Sequence, residues 1–79
     1  MNTNEKIKER FRELVDATGL SKAECSKQIG ISHNTFDNVY NYGKLIRMRV
    51  IACIADYFNI SIDYLLGRTD DKQIKSHRQ

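Results

Sequence analysis

Apolar residues recur along this chain with the period of an α-helix. Ile7, Phe11, Leu14, Val15 and Thr18 follow the i, i+4, i+7, i+8 spacing of one helix face, and Gly19 supplies a left-handed stop behind them. Ser21-Lys22-Ala23-Glu24 has the form of a capping box. It predicts a second helix from Lys22 to about Gly30, with Ala23, Cys25 or Ser26, and Ile29 turned inward. Ser32 is a fresh N-cap, so a third helix is expected from His33 to about Tyr42, with Phe36, Val39 and Tyr40 inward and Gly43 at its end. The connection Lys44 to Arg47 leads to a fourth helix over Met48–Phe58. That helix is apolar around most of its circumference and is expected to be the central, most buried one. Asn59 stops it, Ser61 caps a short fifth helix, Ile62–Leu66, and Gly67 closes that one. The alternation Asn59-Ile60-Ser61-Ile62-Asp63 reads as a helix-capping corner rather than a strand.

The pattern therefore predicts an all-α domain over residues 1–69 and a polar, mobile tail over 70–79. With 79 residues there is room for one small core and none for a large cofactor site. Cys25 and Cys53 lie far apart without CxxC spacing, and His33 and His77 are equally isolated, so no zinc site is expected. Both cysteines read as buried thiols in a reducing cytoplasm, with a disulfide between them as the minor alternative. No apolar run is long enough to span a membrane, and the first residues lack the apolar stretch of a signal peptide. The expected location is the cytoplasm.

Charge changes this picture by where it falls. Residues 1–20 carry four basic and four acidic side chains, and residues 51–79 carry four of each. Residues 21–50 carry five basic residues (Lys22, Lys27, Lys44, Arg47, Arg49) against Glu24 and Asp37. The net charge of +3 thus lies in the middle of the chain, a modest footprint for a polyanion.

The same middle third holds two short helices joined by a tight turn at Gly30. Such a turn sets helices at roughly 90–120°, so the second one projects. A projecting helix fits the major groove of DNA, while the helix before it crosses the backbone. His33, Asn34, Asp37, Asn38 and Asn41 fall on one face of the third helix. Asparagine can bond adenine N6 and N7 together, and aspartate can accept from cytosine N4. The alternative is an ordinary solvated face, as amphipathic helices have. Asp37 has three open roles: reading a base, pairing with Lys44, or capping locally.

The stretch Gly19 to Phe36 resembles the helix-turn-helix of Cro/CI-type (Xre family) transcriptional regulators, and Ile54 to Gly67 resembles that family's fourth and fifth helices. The resemblance covers about residues 5–69 and implies a five-helix, lambda-repressor-like DNA-binding domain. Gly30 matches the turn glycine, and Ser26 stands where the family usually has alanine. Lys22 matches the first residue of the second helix, commonly a phosphate-binding glutamine. His33, Asn34, Asp37, Asn38 and Asn41 match outward positions of the recognition helix and are the implied base contacts. Ser32, Thr35, Lys44 and Arg47, with Lys22, are the implied phosphate contacts.

The chain also departs from the family. Where relatives carry an arginine and glutamate ion pair, it has Val15 and Tyr40, which are expected to touch. A buried pair replaced by packing is often neutral or stabilising. Gly43 stands one residue later than the family's glycine, and the usual proline before the fourth helix is missing.

The implied function is sequence-specific binding of double-stranded DNA by a repressor acting as a homodimer on a palindromic operator. One such helix reads few base pairs, and two half-sites supply the specificity. Ile62, Tyr64 and Leu65, with the tail, are the candidate dimer surface, the other reading being that they close the core. The second function is that of an antitoxin or anti-repressor, a protein-interaction module that keeps the fold. Nothing suggests an enzyme: there is no paired-carboxylate, Cys–His or Ser–His arrangement and no phosphate-cradling loop. No cofactor and no small-molecule ligand is expected. Control is expected through protein level, a partner or the tail. The amide-rich reading face predicts moderate affinity, a moderate salt slope and a lean toward A·T pairs.

Overall fold

The order of capping signals in the chain is the order of helices in the fold. The computed structural model describes residues 3–44 and 47–72, and these form five helices: α1 (Thr3–Thr18), α2 (Lys22–Ile29), α3 (His33–Tyr42), α4 (Met48–Phe58) and α5 (Ile62–Leu65). The Ser21, Ser32 and Ser61 hydroxyls accept from the N–H groups of Glu24, Thr35 and Tyr64 at the heads of α2, α3 and α5, satisfying donors a helix start leaves open. The second half of the capping box at α2 takes another form. The Glu24 carboxylate accepts from Gln28 at 3.1 Å, and Gln28 accepts from the Tyr57 hydroxyl at 2.6 Å, which ties α2 to α4.

Phe11 is fully buried and is the centre of the core. Its ring meets Phe36 edge-on at 5.2 Å, Tyr40 at 6.4 Å and Phe58 at 6.4 Å. One α1 side chain thus holds both α3 and α4. Val15 is buried in this core and Tyr40 packs against it. Arg10, one residue from Phe11, is the unexpected member: a cation only 6% exposed. It donates to the carbonyls of Tyr64 at 2.6 Å and Thr69 at 2.5 Å, and to Asp70 at 2.6 Å. Its guanidinium also lies 4.1 Å from the centre of the Tyr64 ring. Asp70 is 97% exposed, so solvent screens that ion pair. The two carbonyls and the ring carry the tie.

Several expectations are corrected here. α4 is amphipathic rather than wrapped in core: Ile51, Ile54 and Ala55 are buried, while Met48, at the helix start, is 70% exposed. Ala23 is exposed, because the buried face of α2 is centred on Cys25 and Ile29. α5 ends at Leu65, with Leu66 as its cap. Tyr64 and Leu65 are buried against α1 and the core, which leaves Ile62 as the exposed member of the expected dimer surface. The expected boundary at residue 69 falls inside a segment that folds back on the domain. Ser61 N–H donates to the Lys72 carbonyl at 2.9 Å, beside the contacts of Thr69 and Asp70 with Arg10. The rest of the expected tail, 73–79, lies outside the described residues.

The displaced glycine also has its reason. Gly43 is the left-handed cap of α3, with φ of 69°, and a Cβ there would collide with the Asn4 carbonyl of α1. The end of α3 rests directly on the α1 backbone. Both cysteines are free thiols; Cys25 is buried as expected, whereas Cys53 is only half-buried. No helix among the described residues is long and apolar enough to cross a membrane.

Arg10→Leu is expected to destabilise the fold by about 2–4 kcal/mol, since it strands one buried and one part-buried carbonyl, whereas Asp70→Asn costs under about 1 kcal/mol; chemical denaturation separates the two. Burial pushes the Cys25 thiol above its ordinary value of 9.0, partly opposed by a hydrogen bond with Thr18. The folded state thus holds this proton more tightly than the unfolded state. Its contribution to stability is complete below 9.0 and is lost as pH rises through the higher folded value. Thermal melts from neutral to alkaline pH should show this fall, and Cys25→Ala should make it shallower.

Candidate nucleic-acid interface

α3 projects along the surface because only one of its faces is apolar. Phe36 and Val39 point into the core, and His33, Asn34 and Asn41 are exposed. Beside this helix runs a groove of about 520 Å³ between α3 and the start of α4. Asn34 and Asn38 line it from α3, Ser32 and Thr35 from the α3 cap, and Lys44, Arg47 and Arg49 line it as well; Ile31, Val50 and Cys53 are its apolar lining. Six of the ten expected site residues meet in this one groove: Asn34 and Asn38, expected at bases, and Ser32, Thr35, Lys44 and Arg47, expected at phosphates.

Asparagine amides and cations share the lining of this groove. The Ser32 hydroxyl donates to the Thr35 hydroxyl at 2.8 Å while accepting the Thr35 N–H. Among the described residues this leaves the Thr35 hydroxyl proton to donate outward. Arg47 is the N-cap of α4 and makes no side-chain cap hydrogen bond. The Val50 and Ile51 N–H groups donate to the Arg47 carbonyl, while those of Met48 and Arg49 receive no side-chain cap, an arrangement that suits an anion at a helix start.

The other four expected residues lie elsewhere. His33 and Asp37 face each other across one helical turn, Nε2 to Oδ2 at 3.5 Å, which shows pairing with His33 rather than Lys44 for Asp37. Asn41 is exposed near the end of α3 and is not part of the groove lining. Lys22, at the start of α2, has its ammonium 4.3 Å from the Tyr40 ring centre. Arg49 lines the groove and was absent from the expected contact set. Its basic charge in residues 21–50 was the available signal, but its position relative to α3 depends on how α4 packs.

A projecting polar helix preceded by a short helix and a left-handed glycine turn, with cations beside it, is the architecture of a helix-turn-helix DNA-binding domain. The chain belongs to the Cro/C1-type HTH DNA-binding domain family, whose model matches residues 10–71. It is similar to YobD of Bacillus subtilis (strain 168), described as an uncharacterized HTH-type transcriptional regulator. The identity is 28% over 71 residues, which is 90% of this chain and 63% of the relative. The chain thus spans less than two thirds of that relative's length. No solved structure matches it significantly.

Each groove cation is expected to add one counterion-releasing contact. Arg47→Gln and Arg49→Gln should each reduce the slope of log affinity against log salt by about 0.9, as read by fluorescence anisotropy on duplex DNA.

Proposed function

We propose that this protein binds double-stranded DNA sequence-specifically through α3 and regulates transcription, as a repressor acting as a homodimer on a palindromic operator. The observation that carries the reading is the groove at α3, which two asparagine amides and three cations line together. Asn34 and Asn38 sit one helical turn apart, so both can meet base edges in one major groove while Lys44, Arg47 and Arg49 engage the flanking phosphates. Adenine is the base an asparagine bonds through two atoms, which supports a lean toward A·T pairs. His33 partly offsets the Asp37 charge when protonated, so the carboxylate can face a base without adding its full charge to the repulsion between protein and backbone. Ten residues of α3 span about three turns and reach few base pairs, which supports two copies on a two-fold site.

Selection from random duplexes is expected to yield a palindrome with half-sites about one DNA turn apart. Asn34→Ala and Asn38→Ala should each cost about 1–3 kcal/mol and relax the selected sequence at one position of each half-site. Sedimentation of the protein with that duplex should give two chains per site. Selection that enriches nothing, together with no mobility shift at low salt, would refute the DNA reading in favour of a protein-binding antitoxin or anti-repressor.

A further inference from the structure

Beyond the groove, Tyr40 gathers a second group of cations. Its ring stacks on Phe36 at 5.8 Å and 15°, and its hydroxyl donates to Asp16 at 3.1 Å, which raises the pKa of the phenol and keeps it protonated. The guanidinium of Arg12 lies 4.7 Å from the ring centre and the ammonium of Lys22 lies 4.3 Å from it. Arg12 Nε also donates to the Tyr40 carbonyl at 2.7 Å. Arg12 and Lys22 are both exposed residues.

Two like charges on one half-buried ring repel each other, and the ring attracts both. The arrangement improves when an anion joins the two cations. With its Nε anchored on the Tyr40 carbonyl and its guanidinium 4.7 Å from the ring centre, the Arg12 side chain is held at two points. Its two terminal amino groups, like the Lys22 ammonium, have no protein acceptor among the described residues. A guanidinium edge of this kind matches two phosphate oxygens.

We propose that Arg12, Tyr40 and Lys22 form a second phosphate-binding site for the DNA backbone, outside the basic groove. Arg12 is a direct phosphate ligand there, and Tyr40 is the positioning residue that holds both cations. The inference rests on the reading of α3 as the DNA-reading helix. It adds Arg12, from α1, to the contact set. It also explains how a tyrosine serves at this point of α3: the aromatic ring places cations that a carboxylate would neutralise.

The test is affinity on a fluorescein-labelled duplex carrying the selected sequence, measured from about 50 to about 200 mM salt. Arg12→Gln and Lys22→Gln are each expected to weaken binding about three- to tenfold and to lower the salt slope by about 0.9. Arg12→Lys, which keeps the charge and loses the fork, should recover only part of the affinity. Tyr40→Phe keeps the ring and should recover most of the affinity that Tyr40→Leu loses. Tyr40→Leu should lose what Arg12→Gln loses, and the double variant should lose little more, because both remove one unit. Thermal melts confirm that each variant is folded; if Tyr40→Leu is not, the Arg12 variants decide. Arg12→Gln with parental affinity and slope overturns the proposal, as do additive losses in the double variant. If Lys44→Gln and Arg47→Gln weaken binding while Arg12→Gln does not, α3 remains the reading helix and only this second site is lost. If the parent binds no duplex at low salt, both readings fall.

Discussion

The packing of Phe11 against Phe36, edge to face at 5.2 Å, is the contact on which the rest of the molecule depends. Phe11 belongs to α1 and Phe36 to α3, and both are fully buried. The same Phe11 ring meets Tyr40 and Phe58, so one side chain sets α3 and α4 against a common support. Aromatic pairs in this geometry add directional preference to simple burial. In a core this small no neighbouring layer can restore a lost contact. The helix proposed to read DNA is thus anchored from behind, and its polar face stays outside because Phe36 and Val39 claim the inside.

The two sides of Arg10 and Arg12 show how α1 serves different ends of the fold. Arg10 is turned inward, where two carbonyls and the Tyr64 ring hold it. A buried cation demands such partners, and meeting the demand draws α5 and residues 69–70 onto α1. Arg12 lies two positions on and points out, onto Tyr40. Gly43 completes the set by letting the end of α3 come down on the Asn4 carbonyl. The shifted glycine is therefore matched to a close approach between α3 and α1 that a side chain at this position would block.

Much of the fold and part of the site were legible in advance. The starts of α2, α3 and α5 were written in Ser21, Ser32 and Ser61, because a capping hydroxyl acts within four residues and needs no distant partner. The faces of α1 and α3 were legible from period alone. The reading failed where burial was shared between elements. α4 looks apolar all round, yet Met48 overhangs the core at the helix start. Tyr64 and Leu65 looked equally fit for a dimer surface or for the core, and the choice rested on Arg10, whose role no local pattern announced. Among the site residues, Asn34, Asn38, Ser32 and Thr35 come from one cap and one helix, so their proximity was a local matter. That Arg47 and Arg49 join them was not, since it depends on how α4 docks.

The sequence by itself determined five helices, their caps, and the polar face that α3 presents, because each of these is settled by interactions within a turn or two of the chain. The tertiary structure alone decided which cations face α3, which carbonyls receive Arg10, and that Tyr40 collects Arg12 and Lys22. The pairings of Arg10 and Tyr40 join residues separated by 18 to 59 positions, and only the packing of rigid helices around Phe11 brings them within reach. Charge and residue type named the participants; the angle at which the helices cross assigned them their partners.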